Sequence, residues 1–87
     1  MKMSTKGRYA VMAVIDIGEH SAGKPVPLAD IAARQDISQE YLEQLFGKLR
    51  RSGIVTSARG PGGGYVLARA AEDITMADVI QAVDEEL

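Results

Sequence analysis

Apolar residues recur at helical spacing in four places along this chain, separated by two breaker clusters and one glycine-rich stretch. The first helix is predicted from Thr5 to Ser21, with Ser4 as N-cap because its hydroxyl can accept from an orphan N–H of the first turn. Its apolar run through Ile17 shows little alternation, which predicts burial on more than one side. Ser21-Ala22-Gly23-Lys24-Pro25 ends it, since Gly23 can take a positive φ and Pro25 forbids continuation. Pro27 then opens a short second helix, Leu28 to Gln35, where Leu28, Ile31 and Ala32 share a face. Asp36-Ile37-Ser38 is a tight break: Asp36 tolerates left-handed φ and Ser38 caps the next helix. That third helix, Gln39 to Ser52, carries Leu42, Leu45, Phe46 and Leu49 as one core stripe and stops at Gly53.

Beyond Gly53 the period changes. Ile54 to Ala58 is short and β-branched and reads as a strand, and Tyr65 to Ala68 resumes extended after Arg59-Gly60-Pro61-Gly62-Gly63-Gly64. The two form a hairpin with a long glycine tip that is basic at its entrance. Ile74 is expected to add a short strand, and Thr75 to cap a fourth helix with Asp78 reaching back. Met76, Val79, Ile80, Val83 and Leu87 keep that helix amphipathic to the last residue, which predicts a longer natural chain or a helix packed on a partner. Two helices joined by a three-residue break, followed by a hairpin, make the expected fold mainly α with a small β-hairpin wing: a winged helix-turn-helix.

At 87 residues the chain has room for one core, and its 46% apolar and 25% charged fractions exclude wholesale disorder. The absence of cysteine excludes disulfides, thiolate metal sites and cysteine nucleophiles within this stretch, and any His-based triad would depend on the single histidine, His20. No apolar run approaches the roughly 18 residues a membrane span needs, and Tyr9 to Ile15 lacks a signal-peptide cleavage pattern. The expected compartment is therefore the cytoplasm. A net charge of −2 speaks against nucleic acid only as an average. All ten lysines and arginines precede residue 71, and Lys48, Arg50, Arg51, Arg59 and Arg69 come after Gln44 with no acid among them before Glu72. That stretch reads either as a phosphate-binding footprint or as a solvated face.

The apolar stripe of the third helix leaves Gln39, Glu40, Glu43, Gln44 and Gly47 on its opposite face. Glutamine can pair bidentately with adenine and glutamate can accept from the cytosine amino group, so this face suits base reading in a major groove. Glu40 reads equally well as a complement to the helix macrodipole. Lys48, Arg50 and Arg51 suit backbone phosphates and also the negative end of their own helix. The glycine stretch lacks the last glycine of G-x-G-x-x-G, and a strand rather than a helix comes next, so a nucleotide cradle is excluded. A wing led by Arg59 into a narrow minor groove fits it better; an unpartnered hairpin tip is the plain alternative. His20 reads as a charge at a helix C-terminus, Tyr9 and Tyr65 as core or groove-lining residues, and Met1, Met3, Met12 and Met76 as packing residues. The competing function is a protein–protein interaction module that docks through the acidic fourth helix without reading DNA; for an enzyme no constellation is present.

Three segments bring a known family into view: STKGRYAVMAVIDI, then VPLADIAARQDIS with EYLEQLFGKLRRSGIV, then RGPGGGYVLAR with ADVIQAVDE. Across essentially the whole chain they resemble the IscR-like regulators, winged-helix transcription factors that sense iron–sulfur status; YLEQLF and RGPGGGY are the most specific matches. The resemblance implies a homodimer that binds double-stranded operator DNA and controls iron–sulfur, iron-homeostasis or redox-stress genes. It implies base contacts from Glu43 and Gln44, and phosphate contacts around Ser38 and Tyr41. It also implies minor-groove insertion by Arg59 beside Gly60, and backbone contacts near Thr5 and Tyr9. Glu40 departs from the small hydroxyl residue usual at its position. In this reading residues 1–75 are the DNA-binding domain and residues 76–87 start a helix toward a dimerisation and sensor region. There, beyond residue 87, three cysteines would ligate a [2Fe–2S] cluster, with no cofactor ligands within the 87 residues.

Overall fold

In order along the chain come α1 (Thr5–His20), α2 (Leu28–Gln35), α3 (Gln39–Arg51), strands β1 (Val55–Ala58) and β2 (Gly64–Leu67), a 3-10 turn at Ala71–Asp73, and α4 (Met76–Asp84). The structure is a computed structural model and describes residues 4–60 and 62–84. The expected winged helix-turn-helix is the fold found. Met1, Met3, Pro61 and Leu87, and with Leu87 the end of the fourth helix's stripe, lie outside the described residues.

Local chemistry accounts for most helix ends. Ser4 Oγ accepts from the Gly7 N–H at 2.9 Å and shares its own proton between the two Asp84 carboxylate oxygens, tying the start of α1 to the end of α4. Ser38 Oγ accepts from the Tyr41 N–H at 3.0 Å. Thr75 and Asp78 exchange bonds reciprocally: the Thr75 N–H donates to Asp78 at 3.1 Å, and the Asp78 N–H to Thr75 Oγ1 at 3.0 Å. The donation from Thr75 to the carboxylate holds the Asp78 carboxyl below its usual pKa. At the end of α3, Gly53 at φ 76° lets its own N–H reach the Arg50 carbonyl and the Ile54 N–H reach that of Leu49. That is a Schellman closure, with Ile54 buried against the core.

The same closure delays the first strand. Ile54 commits its N–H to α3, so β1 starts at Val55, and only the Ile54 carbonyl joins the ladder, accepting from Ala68 at 2.9 Å. Ser21 and Ser52 are likewise caps rather than the last helical residues. Ile74 is extended but forms no strand, because its N–H closes the preceding turn onto the Ala71 carbonyl. The α1–α2 turn uses two left-handed residues: Gly23, as expected, at φ 82°, and Ala22, which the sequence did not single out, at φ 43°.

The hairpin is antiparallel, with Val55 opposite Leu67 and Ala58 opposite Gly64. A third segment joins it. Val26 and Tyr65 exchange two backbone hydrogen bonds, each 2.9 Å, so the loop before α2 becomes a one-residue strand on β2. Gly64 is required there, since a Cβ would overlap the Val26 carbonyl group.

The core gathers Ala10, Ala13, Val14 and Ile17 of α1, Ile31 of α2, the full stripe of α3, Val55 of β1 and Val79 and Val83 of α4. Phe46 lies at its centre, with Tyr65 tilted against it at 4.7 Å. The apolar run of α1 is buried on more than one side but not all round: Met12 is 42% and Ile15 54% exposed. Met76 is 55% exposed, because it begins α4 before that helix meets the core, so neither described methionine is the packing residue expected.

Among the described residues one polar side chain is buried outright. Asp16, 1% exposed, accepts from Arg34 Nη2 at 2.7 Å and Nε at 3.0 Å and from Gln35 Nε2 at 2.9 Å. His20 Nδ1 lies 2.9 Å from the Asp16 carbonyl, so the geometry assigns that nitrogen the proton and makes it the donor. The Arg34 hydrogen bonds outweigh burial and hold the Asp16 carboxyl below its ordinary 3.8. Asp16 therefore adds stability at neutral pH that is lost as the solution falls below about pH 4.

Two substitutions probe these supports. Phe46→Ala costs about 3–5 kcal/mol in urea unfolding, because it empties the centre of a small core. Asp16→Asn lowers stability at pH 7 and flattens its fall below about pH 4, measured by thermal melts at stepped pH.

Candidate nucleic-acid interface

α3 is amphipathic in the simplest way, so burying Leu42, Leu45, Phe46 and Leu49 dictates what remains outside. Gln39, Glu40, Glu43 and Gln44 are all exposed. No larger side chain interrupts that face at Gly47, where the Arg51 guanidinium folds back to 3.6 Å from the position a Cβ would take. The face therefore runs from a polar and acidic N-terminal half to a basic C-terminal turn, with Arg50 and Arg51 exposed.

Lys48 departs from this. Its ammonium donates to the Val83 carbonyl at 3.3 Å, so it closes the last turn of α4 rather than reaching out for phosphate.

Two of the candidate residues, Tyr9 and Tyr41, meet where α1 packs on α3. Ser38 caps α3, and half-buried Tyr41 in the first turn sets its ring edge-on to Tyr9 of α1, with centroids 5.8 Å apart and planes at 87°. Thr5, exposed, opens α1 one turn before Tyr9. Tyr9 and Tyr41 are thus packing residues through their rings, whatever their hydroxyls meet. Arg59 and Gly60 are exposed in the hairpin tip, directly after Ala58, the last paired residue of β1. The Gly63 N–H donates to the Gly60 carbonyl at 2.8 Å across that tip, which keeps the tip narrow.

Two supports of this surface carry no local signal in the sequence. The Val26–Tyr65 bridge ties the wing to the loop that leads into α2. The Asp16–Arg34–Gln35 cluster ties α2 to α1. His20 does sit at a helix C-terminus, and its partner is the Asp16 carbonyl within its own helix.

Residues 3–87 match the Rrf2 family, described as iron-dependent transcriptional regulators. The chain belongs to the Rrf2 family. Its relatives within that family include the HTH-type transcriptional regulator IscR of Photorhabdus laumondii, 58% identical over all of this chain and 53% of that protein. The regulator of the same name from Vibrio atlanticus is 60% identical over 100% of this chain and 50% of its own length. Among solved structures, T. potens IscR superposes with a TM-score of 0.90 at 47% identity, over 100% of this chain and 64% of that one. CymR, the global cysteine regulator of B. subtilis, gives 0.92 at 40% identity, over 99% of this chain and 67% of that one. The chain spans about half the length of the curated relatives it matches.

The residues present do not fit the [2Fe–2S] cluster that the resemblance implies. The 87 residues include no cysteine and one histidine. Among the described residues no three His, Cys, Asp or Glu side chains converge as metal ligands would. Thiolate ligation has nothing to use within this stretch of the Rrf2 chain.

The wing anchor makes its own prediction. Gly64→Ala breaks the Val26–Tyr65 bridge, so the amides of Val26 and Tyr65 exchange with solvent at least about tenfold faster while the α3 amides keep their protection. Unchanged protection at both amides contradicts the anchor.

Proposed function

We propose that this chain is the sequence-specific DNA-binding part of an Rrf2 regulator. The observation that carries the reading is the exposed polar face at the N-terminal half of α3, ending in exposed Arg50 and Arg51. Glu43 and Gln44 read base edges in the major groove, with Gln39 and Glu40 beside them. Ser38 and Tyr41, with Thr5 and Tyr9 across the α1–α3 contact, meet the sugar–phosphate backbone, as do Arg50 and Arg51. Arg59 enters the adjacent minor groove, and Gly60 lets the tip approach the sugars closely. The carboxylates on this face are repelled by phosphate unless each finds a donor base, so they add discrimination rather than affinity.

The regulator acts in the cytoplasm as a homodimer on operator DNA, in genes of iron–sulfur, iron or redox homeostasis, with any cluster held outside residues 1–87. Support for pairing comes from the apolar side chains left open on α1 and α4, namely Met12, Ile15 and Met76. Nothing in the chain's donor set favours catalysis, and regulators are what its relatives are named. Among the described residues no helix is long and apolar enough to cross a membrane. Docking of a protein through an acidic α4 is disfavoured, because Asp78 and Asp84 are already engaged by Thr75, Arg69 and Ser4.

Binding to a selected duplex weakens steeply with salt, since each phosphate contact releases counterions. Arg59→Ala weakens it by more than about 1 kcal/mol at fixed salt, measured by fluorescence anisotropy. Equal affinity for the two proteins removes the wing from the interface.

A further inference from the structure

We propose that Asp16 is a positioning residue for DNA reading: its bidentate pair with Arg34 sets the rotation of α2, and through it the aim of the first turn of α3. The inference rests on the DNA-binding reading proposed for the chain. α2 has eight residues, and Ile31 is the one side chain it buries completely. Apolar burial has no direction, so a helix resting on one fully buried residue and a few half-buried ones can roll about its axis at little cost. Asp16 removes that freedom. Its carboxylate is anchored in the core-facing side of α1, and the planar Arg34 fork meets it at 2.7 and 3.0 Å. Gln35, the next residue and about 100° further round the helix, donates to the same carboxylate at 2.9 Å. Two donors from different sides of α2 converge on one acceptor, so a roll in either direction lengthens at least one of these bonds.

The rotation is passed on because the connection has no slack. Asp36 is left-handed at φ 54°, the Ile37 N–H returns to the Ala32 carbonyl at 3.1 Å, and Ser38 is already the cap of α3. The exposed Gln39, Glu40, Glu43 and Gln44 therefore inherit the orientation of α2. Base-edge hydrogen bonds demand that orientation; phosphate contacts, which respond to charge, demand it much less. A buried ion pair is weak evidence for stability, since apolar residues of similar size often serve as well, and a role in fixing register accounts for one placed here.

The test uses the full-length protein and two duplexes, one selected from a random library and one scrambled. Arg34→Lys keeps the charge and loses the fork; the pair Asp16→Leu with Arg34→Met removes both charges together and keeps the apolar packing, so no buried charge is orphaned. The ratio of the two affinities is the readout, on protein shown to be folded by circular dichroism. Arg34→Lys is expected to lower it by at least about threefold and the double variant by at least about tenfold, with scrambled-duplex affinity held within about twofold. An unchanged ratio in folded Arg34→Lys overturns the inference even if the double variant fails to fold. Equal loss on both duplexes also overturns it, because Arg34 is then a phosphate contact. If the unaltered protein selects no sequence at all, the DNA-reading proposal falls first and takes this inference with it.

Discussion

A carboxylate buried to 1% exposure in a domain of 87 residues dictates where its partners must be. Left alone, the Asp16 charge would cost more than a chain this small can spare, and a small domain has few ways to satisfy it. The solution found is to bring α2 across α1 so that Arg34 and Gln35 close on the carboxylate. Once that is done, the short turn at Asp36 to Ser38 leaves α3 a single way to leave, with its apolar stripe inward and its polar face outward. The apolar core then fills the volume that these directions enclose, with Phe46 at its centre.

The wing is referred to the same frame by a backbone device. Val26 lies between the turn that ends α1 and the start of α2, and its two hydrogen bonds to Tyr65 hold β2 beside the helix-turn-helix. Tyr65 adds its ring to Phe46 of α3 from the same position. α3 and the wing thus share supports, which is what the proposed reading of neighbouring grooves of one duplex demands. The α4 end is secured separately, by Ser4 on Asp84 and Lys48 on the Val83 carbonyl, so the polar bonds at its C-terminus connect it to α1 and α3.

Features that depend on residues a few positions apart were legible in the chain. Ser4, Ser38, Gly53 and the Thr75–Asp78 pair each act within one helical turn, and the apolar stripe of α3 announced both its core and its exposed face. What escaped depends on contacts between distant residues. Asp16 and Arg34 are 18 residues apart, and a lone acid in an apolar run carries no sign of its partner. The Val26–Tyr65 bridge spans the whole helix-turn-helix, and the same distance hid the diversion of Lys48 to α4. Ile74 has the right residue type for a strand, but its N–H was claimed locally by a turn built from Ala71, Glu72 and Asp73, residues without strong turn signals. For the interface, the composition of α3 and the hairpin tip named the candidates; their alignment on one duplex depends on tertiary packing.

Interference footprinting reads that alignment directly. Full-length protein is bound to a duplex selected from random sequence, with guanine N7 methylated in the major groove or adenine N3 methylated in the minor groove. Major-groove methylation is expected to block binding within each half-site, and minor-groove methylation to block it in the groove immediately adjacent. Interference in one groove only, or at positions on opposite sides of the duplex, contradicts a recognition helix and wing that act from one surface.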